Sequence, residues 1–172
     1  MGMLVSCEND IKEIERITDS DEKIPNEMFV NLEVLATDSG ILKSRIFGRY
    51  VDRYVFDKKE LNYMEIKDSL VVFFYDKKGK VTSKISANHA FQYEEKQFIE
   101  LSGNVFFDNL QKKQTLQTEK LIWDQKKEII YTPDNAYFRV DDEDMIITGY
   151  GLKADERFES YEYENAEQQI KM

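Results

Sequence analysis

From about residue 28 onward, apolar and polar residues alternate in short runs separated by charged turns, a period that only a sheet can use. The runs are Phe29–Leu35, Ile41–Phe47, Leu70–Tyr75, Val81–Tyr93, Phe98–Leu101, Val105–Phe107, Leu121–Trp123, Ile129–Tyr131, Ala136–Val140, Met145–Ile147 and Phe158–Tyr163. Between them lie turn segments such as Asp76-Lys77-Lys78-Gly79-Lys80, Glu94-Glu95-Lys96-Gln97, Asp124-Gln125-Lys126-Lys127-Glu128 and Asp141-Asp142-Glu143-Asp144. No window here sustains the stripe of an amphipathic helix. Ten Tyr and eleven Phe suit pleated, half-buried surfaces. With only two prolines (Pro25, Pro133) and seven glycines, the turns must rely on Asp, Asn and Lys.

The runs also repeat. Ala90–Val105 aligns with Leu121–Ala136: each reads aromatic, charged turn, apolar pair, then a Gly, Asn or Asp corner. A looser third copy spans Leu152–Asp155 and Phe158–Tyr163. A period of roughly 30 residues implies stacked units that bury a core only together. Each unit supplies two strands and a polar hairpin, with the corner folding onto an opposite sheet. The expected fold is all-β: repeated antiparallel strands in a twisted two-sheet jelly roll with a long apolar interior. At 172 residues one such core is affordable. The expected division is a tether over 1–27 and a single domain over 28–172.

Side-chain parity nominates the inward face. With Thr82, Lys84 and Ser86 outward, Val81, Ile85 and Ala87 point in. Continuing the count puts Phe91 and Tyr93 inward, and Glu100 outward puts Ile99 and Leu101 inward. Leu121 and Trp123 oppose Lys120 and Asp124, and Phe138 and Val140 oppose Arg139. Val105 joins this set after the Gly103-Asn104 corner. Leu70–Tyr75 is apolar on both faces, so parity decides nothing there. Gly103, Gly149 and Gly151 are read as structural glycines, because a glycine in a strand marks a bend or a close backbone approach.

The formal net charge of −10 repels a phosphate backbone and argues against nucleic-acid binding. His89 is the only histidine, which leaves His-based zinc sites and His-assisted nucleophiles without material. The acidic run Asp141–Asp144 lacks the glycine and distal Glu of a calcium loop and reads as a solvated hairpin tip. No catalytic residue, metal site or cofactor is expected. One cysteine cannot form an intrachain disulfide, and no run approaches the length of a membrane span.

That cysteine sits in Leu4-Val5-Ser6-Cys7, the form of a bacterial lipobox, and the sequence turns polar immediately after it. The apolar stretch that precedes a lipobox is not present, so the sequence is expected to begin inside a signal peptide. Cys7 is then the lipidation site. Ile11, Ile14 and Ile17 permit a short helix, against an extended tether.

These pieces together resemble the LptC family of periplasmic lipopolysaccharide-export proteins, in its lipoprotein form. The resemblance rests on Ser6-Cys7-Glu8-Asn9, Thr37-Asp38-Ser39-Gly40, Val72-Phe73-Phe74-Tyr75-Asp76 and Ile85-Ser86-Ala87-Asn88-His89-Ala90. It continues through Ser102-Gly103-Asn104-Val105, Thr118-Glu119-Lys120-Leu121-Ile122-Trp123-Asp124 and Thr148-Gly149-Tyr150-Gly151-Leu152-Lys153-Ala154-Asp155. The sequence departs from it at Tyr63-Met64-Glu65-Ile66-Lys67-Asp68, where a Phe-Pro-x-Gly corner is expected. The resemblance implies an OstA-like jelly roll at the inner membrane that takes lipopolysaccharide from an ABC transporter. It then passes the lipid to a periplasmic bridge protein of the same fold by strand-edge pairing. Head-to-tail self-association fits the same edges. The apolar interior, Ile85, Phe91, Tyr93, Ile99, Leu101, Val105, Leu121, Trp123, Phe138 and Val140, would hold the acyl chains. Two rival readings stand beside this one: a structural or adhesive β-repeat lipoprotein with a closed core, and a calcium-dependent or carbohydrate-active domain.

Overall fold

A computed structural model describes residues 23–171. The lipobox, Cys7 and the Ile11–Ile17 segment lie outside the described residues. Eleven strands form one antiparallel sheet: β1 (Glu27–Asp38), β2 (Ile41–Tyr54), β3 (Tyr63–Tyr75), β4 (Val81–Ala87), β5 (His89–Tyr93), β6 (Phe98–Asn109), β7 (Gln114–Asp124), β8 (Ile129–Tyr131), β9 (Phe138–Asp141), β10 (Met145–Asp155) and β11 (Tyr161–Ile170). A single 3-10 turn, Lys59–Leu61, interrupts them. The order across the sheet is β1-β2-β3-β4-β6-β7-β8-β10-β11, with β5 between β3 and β6 and β9 between β7 and β10.

The turns explain where strands stop. Ser39 and Gly40 both adopt positive φ (51° and 77°), giving the two-residue turn whose twist matches its flanking strands. At the next hairpin Asp76 caps the loop by accepting from the backbone N–H of Lys78 (2.8 Å) and Lys80 (2.9 Å).

Long strands would make an open sheet, but almost every one is bent at the same level. Asn31, Asp68, Asn104, Gly103 and Gly151 all take left-handed φ along this line. Inward residues straddling it are three apart on one strand and four apart on its neighbour. Gly48 and Val51 face Leu70 and Ile66, which face Ala87 and Ala90. Leu101 then faces Leu121 while Val105 faces Thr118. Each one-residue mismatch is a bulge, and a bulge bends its strand and sharpens the twist. Stacked across the sheet, the bulges form a fold line that doubles the sheet into two layers. The closure is visible where Phe74, at the far end of one layer, meets Trp123, at the far end of the other, with ring centroids 5.0 Å apart. The Arg49 guanidinium closes the line at one side with a 2.8 Å contact to Asp68. The Phe-Pro-x-Gly corner expected near residues 61–70 is replaced by this bend inside β3.

Between the layers lies the main core, in which Phe107, Leu121, Phe138 and Phe158 have no exposed surface. Leu70, Val72 and Phe74 point into it, which resolves the strand that parity left open, while Phe73 packs edge-on against Phe47 outside (6.1 Å).

Three sequence expectations need correction. Phe91 and Tyr93 do not face the main core, because the break at Asn88 turns β5 over relative to β4. Asn88 donates its N–H to Gly103 O (2.9 Å), and Ala90 takes the inward position instead. Thr82, expected outside, is buried, since a register shift between Phe74 and Tyr75 rotates the start of β4. Phe158, read as the start of a strand, belongs to the turn before β11, which runs on to Ile170 through a polar segment.

Candidate functional site

The interior between the layers is the largest continuous apolar surface among the described residues. Of the residues nominated from sequence, it brings together Ile85, Ile99, Leu101, Val105, Leu121, Trp123, Phe138 and Val140. Phe91 and Tyr93 lie instead in a second aromatic cluster on the outer face of the other layer, with Tyr54, Tyr63, Phe56 and Phe98. There Tyr54 stacks on Tyr63 at 4.7 Å and Tyr93 meets Phe98 at 4.5 Å. Burial pushes the Tyr63 hydroxyl up to about 12.

The outer cluster is edged by charge. His89 Nε2 lies 2.9 Å from Glu65 Oε1, and the His89 ring stands edge-on to Phe91 at 4.7 Å. Lys67 bridges Asp52 (2.7 Å) and Glu65 (3.5 Å). Hydrogen bonding to His89, assisted by Lys67, holds the Glu65 carboxyl below its ordinary range despite partial burial. Packing against Phe91 and the hydrogen bond to Glu65 account for this histidine.

The three glycines singled out from sequence serve backbone geometry. Gly103 (φ +74°) and Gly151 (φ +73°) sit on the fold line, where an L side chain is strained. At Gly149 a Cβ would stand 2.0 Å from Asn165 O on β11, so only glycine permits that approach. The acidic run caps a turn. Asp142 accepts from the N–H of Asp144 (2.9 Å) and Met145 (2.8 Å), and Asp141 pairs with Arg139 and Lys171. Among the described residues no cluster of His, Cys, Asp and Glu is placed to hold a metal ion. No helix among them is long and apolar enough to cross a membrane.

One end of the interior is closed by the β10–β11 turn. Asp155 organises this turn: burial works against its charge, but the N–H groups of Glu159 (3.1 Å), Ser160 (2.6 Å) and Arg157 (3.0 Å) hold it below its ordinary range. The turn drives the Phe158 ring between Phe107 (5.4 Å) and Tyr161 (5.1 Å). Asn109 fastens it by donating Nδ2–H to Phe158 O (2.9 Å) and Arg157 O (3.2 Å). Beside it, Trp123 Nε1–H donates to Glu156 Oε2 (3.2 Å), and burial raises that carboxyl above its ordinary range. Outside the turn opens a cleft of about 560 Å³ that reaches Phe74 and Trp123 and is rimmed by Asp38, Lys43, Glu128 and Arg157. Sequence reading missed Phe158. Its signal was an aromatic side chain in a turn position where the other hairpins carry polar residues.

The interior is apolar and packed, and the cleft beside it is rimmed by both signs of charge. A family model described as "Lipopolysaccharide-assembly, LptC-related" matches residues 3–162. No curated protein matches the sequence.

Proposed function

The chain belongs to the LptC family of lipopolysaccharide-assembly proteins, and on that premise we propose that it is a lipid relay. As a member it is a transport component of the periplasmic envelope-export machinery. In the relay, it receives lipopolysaccharide from an inner-membrane ABC transporter, holds the acyl chains between its two layers, and hands the lipid to a periplasmic bridge protein of similar fold. It forms and breaks no covalent bond. The observation that carries this reading is the family match across nearly the whole chain.

The physical chemistry agrees with that assignment. Each buried methylene of an acyl chain contributes about 0.8 kcal/mol, so several chains give firm but divisible binding. Ile85, Ile99, Leu101, Val105, Leu121, Trp123, Phe138 and Val140 are the groups that would hold them. The layers are packed together in this conformation, so loading requires them to part, and the line of bulges supplies a place to bend. Sugars and phosphates stay outside. The terminal strands β1 and β11 are the edges at which neighbouring sheets, or a second copy, would add. Cys7, lipidated, would fix the chain to the inner membrane.

Photo-crosslinking amino acids at Trp123 and Phe138, compared with the solvent-exposed position Lys126 in living cells, test the proposal. Capture of lipopolysaccharide at the two interior positions is expected. Capture at Lys126 alone would return the chain to a structural β-repeat with a closed core.

A further inference from the structure

Among the described residues five hairpin turns of this sheet contain a non-glycine residue with left-handed φ: Ser39 (51°), Gln97 (54°), Lys113 (52°), Glu128 (56°) and Phe158 (56°). The first four are polar and exposed, as a tight turn at a sheet end demands. Phe158 is bulky, takes the same unfavourable backbone conformation, and has no exposed surface. A turn that only had to reverse the chain would not aim an aromatic ring into the core.

What surrounds that ring is unusual for a permanent core. Ser83 Oγ and Gln114 Oε1 are buried without a hydrogen-bond partner. Ser83 faces Asn109, which fastens the turn, and Gln114 reaches Tyr161, which stacks on Phe158. Orphaned buried polar atoms destabilise the closed arrangement, and displacement of the turn would let water satisfy them. The Glu156 carboxylate held against the Trp123 indole acts in the same direction, because burial disfavours its charge. The turn itself is a unit, its Arg157, Glu159 and Ser160 N–H groups gathered on the Asp155 carboxylate.

We propose that Phe158 is a built-in occupant of an acyl-chain subsite: its ring fills the seat between Phe107 and Tyr161 that one hydrocarbon chain of a lipid takes when the β10–β11 turn swings outward. The inference rests on the lipid-relay reading and deepens it. A resident side chain competes with the ligand, so the apparent affinity falls by the fraction of molecules whose seat is vacant. It also keeps the apolar end of the interior dry when no lipid is present. The cleft beyond the turn gives the displaced loop room and gives the chain a way in past Phe74 and Trp123.

Trp123 is the chain's only tryptophan and touches the turn through Glu156, so the protein carries its own reporter. Purified full chain is titrated with dodecanoate below its micelle concentration while Trp123 emission is followed. A saturable change is expected, with Phe158→Ala lowering Kd at least tenfold and Phe158→Leu, which keeps the seat filled, staying within about threefold of the parent. Circular dichroism melts of both variants check for a folded sheet, and if the alanine variant unfolds, Asn109→Ala, which removes the bonds to Phe158 O and Arg157 O and so loosens the turn, is titrated in its place and should lower Kd likewise. Dodecanoate binding with the same Kd in the parent and in every folded variant would overturn the subsite. That result leaves the relay intact if Trp123 and Phe138 still crosslink lipopolysaccharide in cells. Loss of both signals would instead overturn the relay itself.

Discussion

The two ends of the sheet are finished in opposite ways. At the β1 end, Met28, Val30 and Leu35 stand 75%, 66% and 53% exposed along a strand that pairs with β2 from Glu27 to Asp38. At the β11 end, Glu162, Glu164 and Glu167 face solvent, and Ile170 is the one large apolar side chain there that is broadly exposed. Charges along an edge discourage strand addition, whereas an apolar edge invites it. The neighbouring strands differ too. Gly48 on β2 lies under side chains, its added Cβ meeting Val51 Cγ2 at 2.6 Å and Ile66 Cγ2 at 3.1 Å. Gly149 on β10 lies under the β11 backbone. One edge is apolar and receptive; the other is charged and pinned by close backbone contact. The edges are therefore not interchangeable.

The contrast can be broken most forcefully at the two glycines. Gly149→Ala should destabilise the fold by about 3 kcal/mol, since backbone must move, and Gly48→Ala by about 2 kcal/mol, since only the Val51 and Ile66 side chains must give. Urea melts would measure both, and equal losses would erase the distinction. Next in size is association. Met28→Lys with Val30→Lys should weaken binding of a partner sheet, or of a second copy, at least tenfold by analytical ultracentrifugation, while Ile170→Lys leaves it within twofold. The reverse ranking would assign docking to β11.

Acid should separate the two ends further. Glu65, near β1, has a folded-state value lowered by His89, so its stabilisation is complete above about pH 4.5 and is lost as pH falls through that lowered value. Glu156, in the β10–β11 turn, has its value raised by burial, so its ionisation loosens the turn as pH rises past about 4.5. Hydrogen exchange, corrected for intrinsic rates, should show the β10–β11 turn gaining protection as Glu156 protonates, then losing it at lower pH, below about 3.8, as Asp155 protonates, while β3 and β5 only lose it as Glu65 protonates. The smallest effect is expected from Leu35→Lys, about 0.5 kcal/mol or less, because that side chain already faces water.

Much of this architecture is legible in the residues. The alternation in Ile99–Leu101, Leu121–Trp123 and Phe138–Val140 specifies their inward faces, because each run lies wholly on one side of the fold line. Phe91 was misplaced because parity was carried across Asn88, and a bulge at a corner resets the count. Two residues at that corner, Gly103 and Asn104, do announce a bend, but nothing in a single strand says how many residues its neighbour will spend there. The C-terminal strand was cut short for a different reason. Glu164–Ile170 has little β-propensity, and its conformation comes from pairing with β10. Phe158 escaped because its turn has the form of a strand start, and only tertiary contact with Phe107 shows where the ring points.

The order of the strands has a consequence beyond the site. Among the described residues no strand pairs with a partner more than two strands away along the chain, so the sheet is built by addition of near neighbours. Such a topology keeps contacts local in sequence for an all-β protein and favours faster folding. Like a crystal growing in one dimension, the sheet can start at any hairpin and extend as more chain arrives. The rule that adds β3 to β2 contains nothing that says where addition must stop. On the β11 side only the charges of Glu162, Glu164 and Glu167 oppose another strand, and their removal would turn that edge into a template for growth.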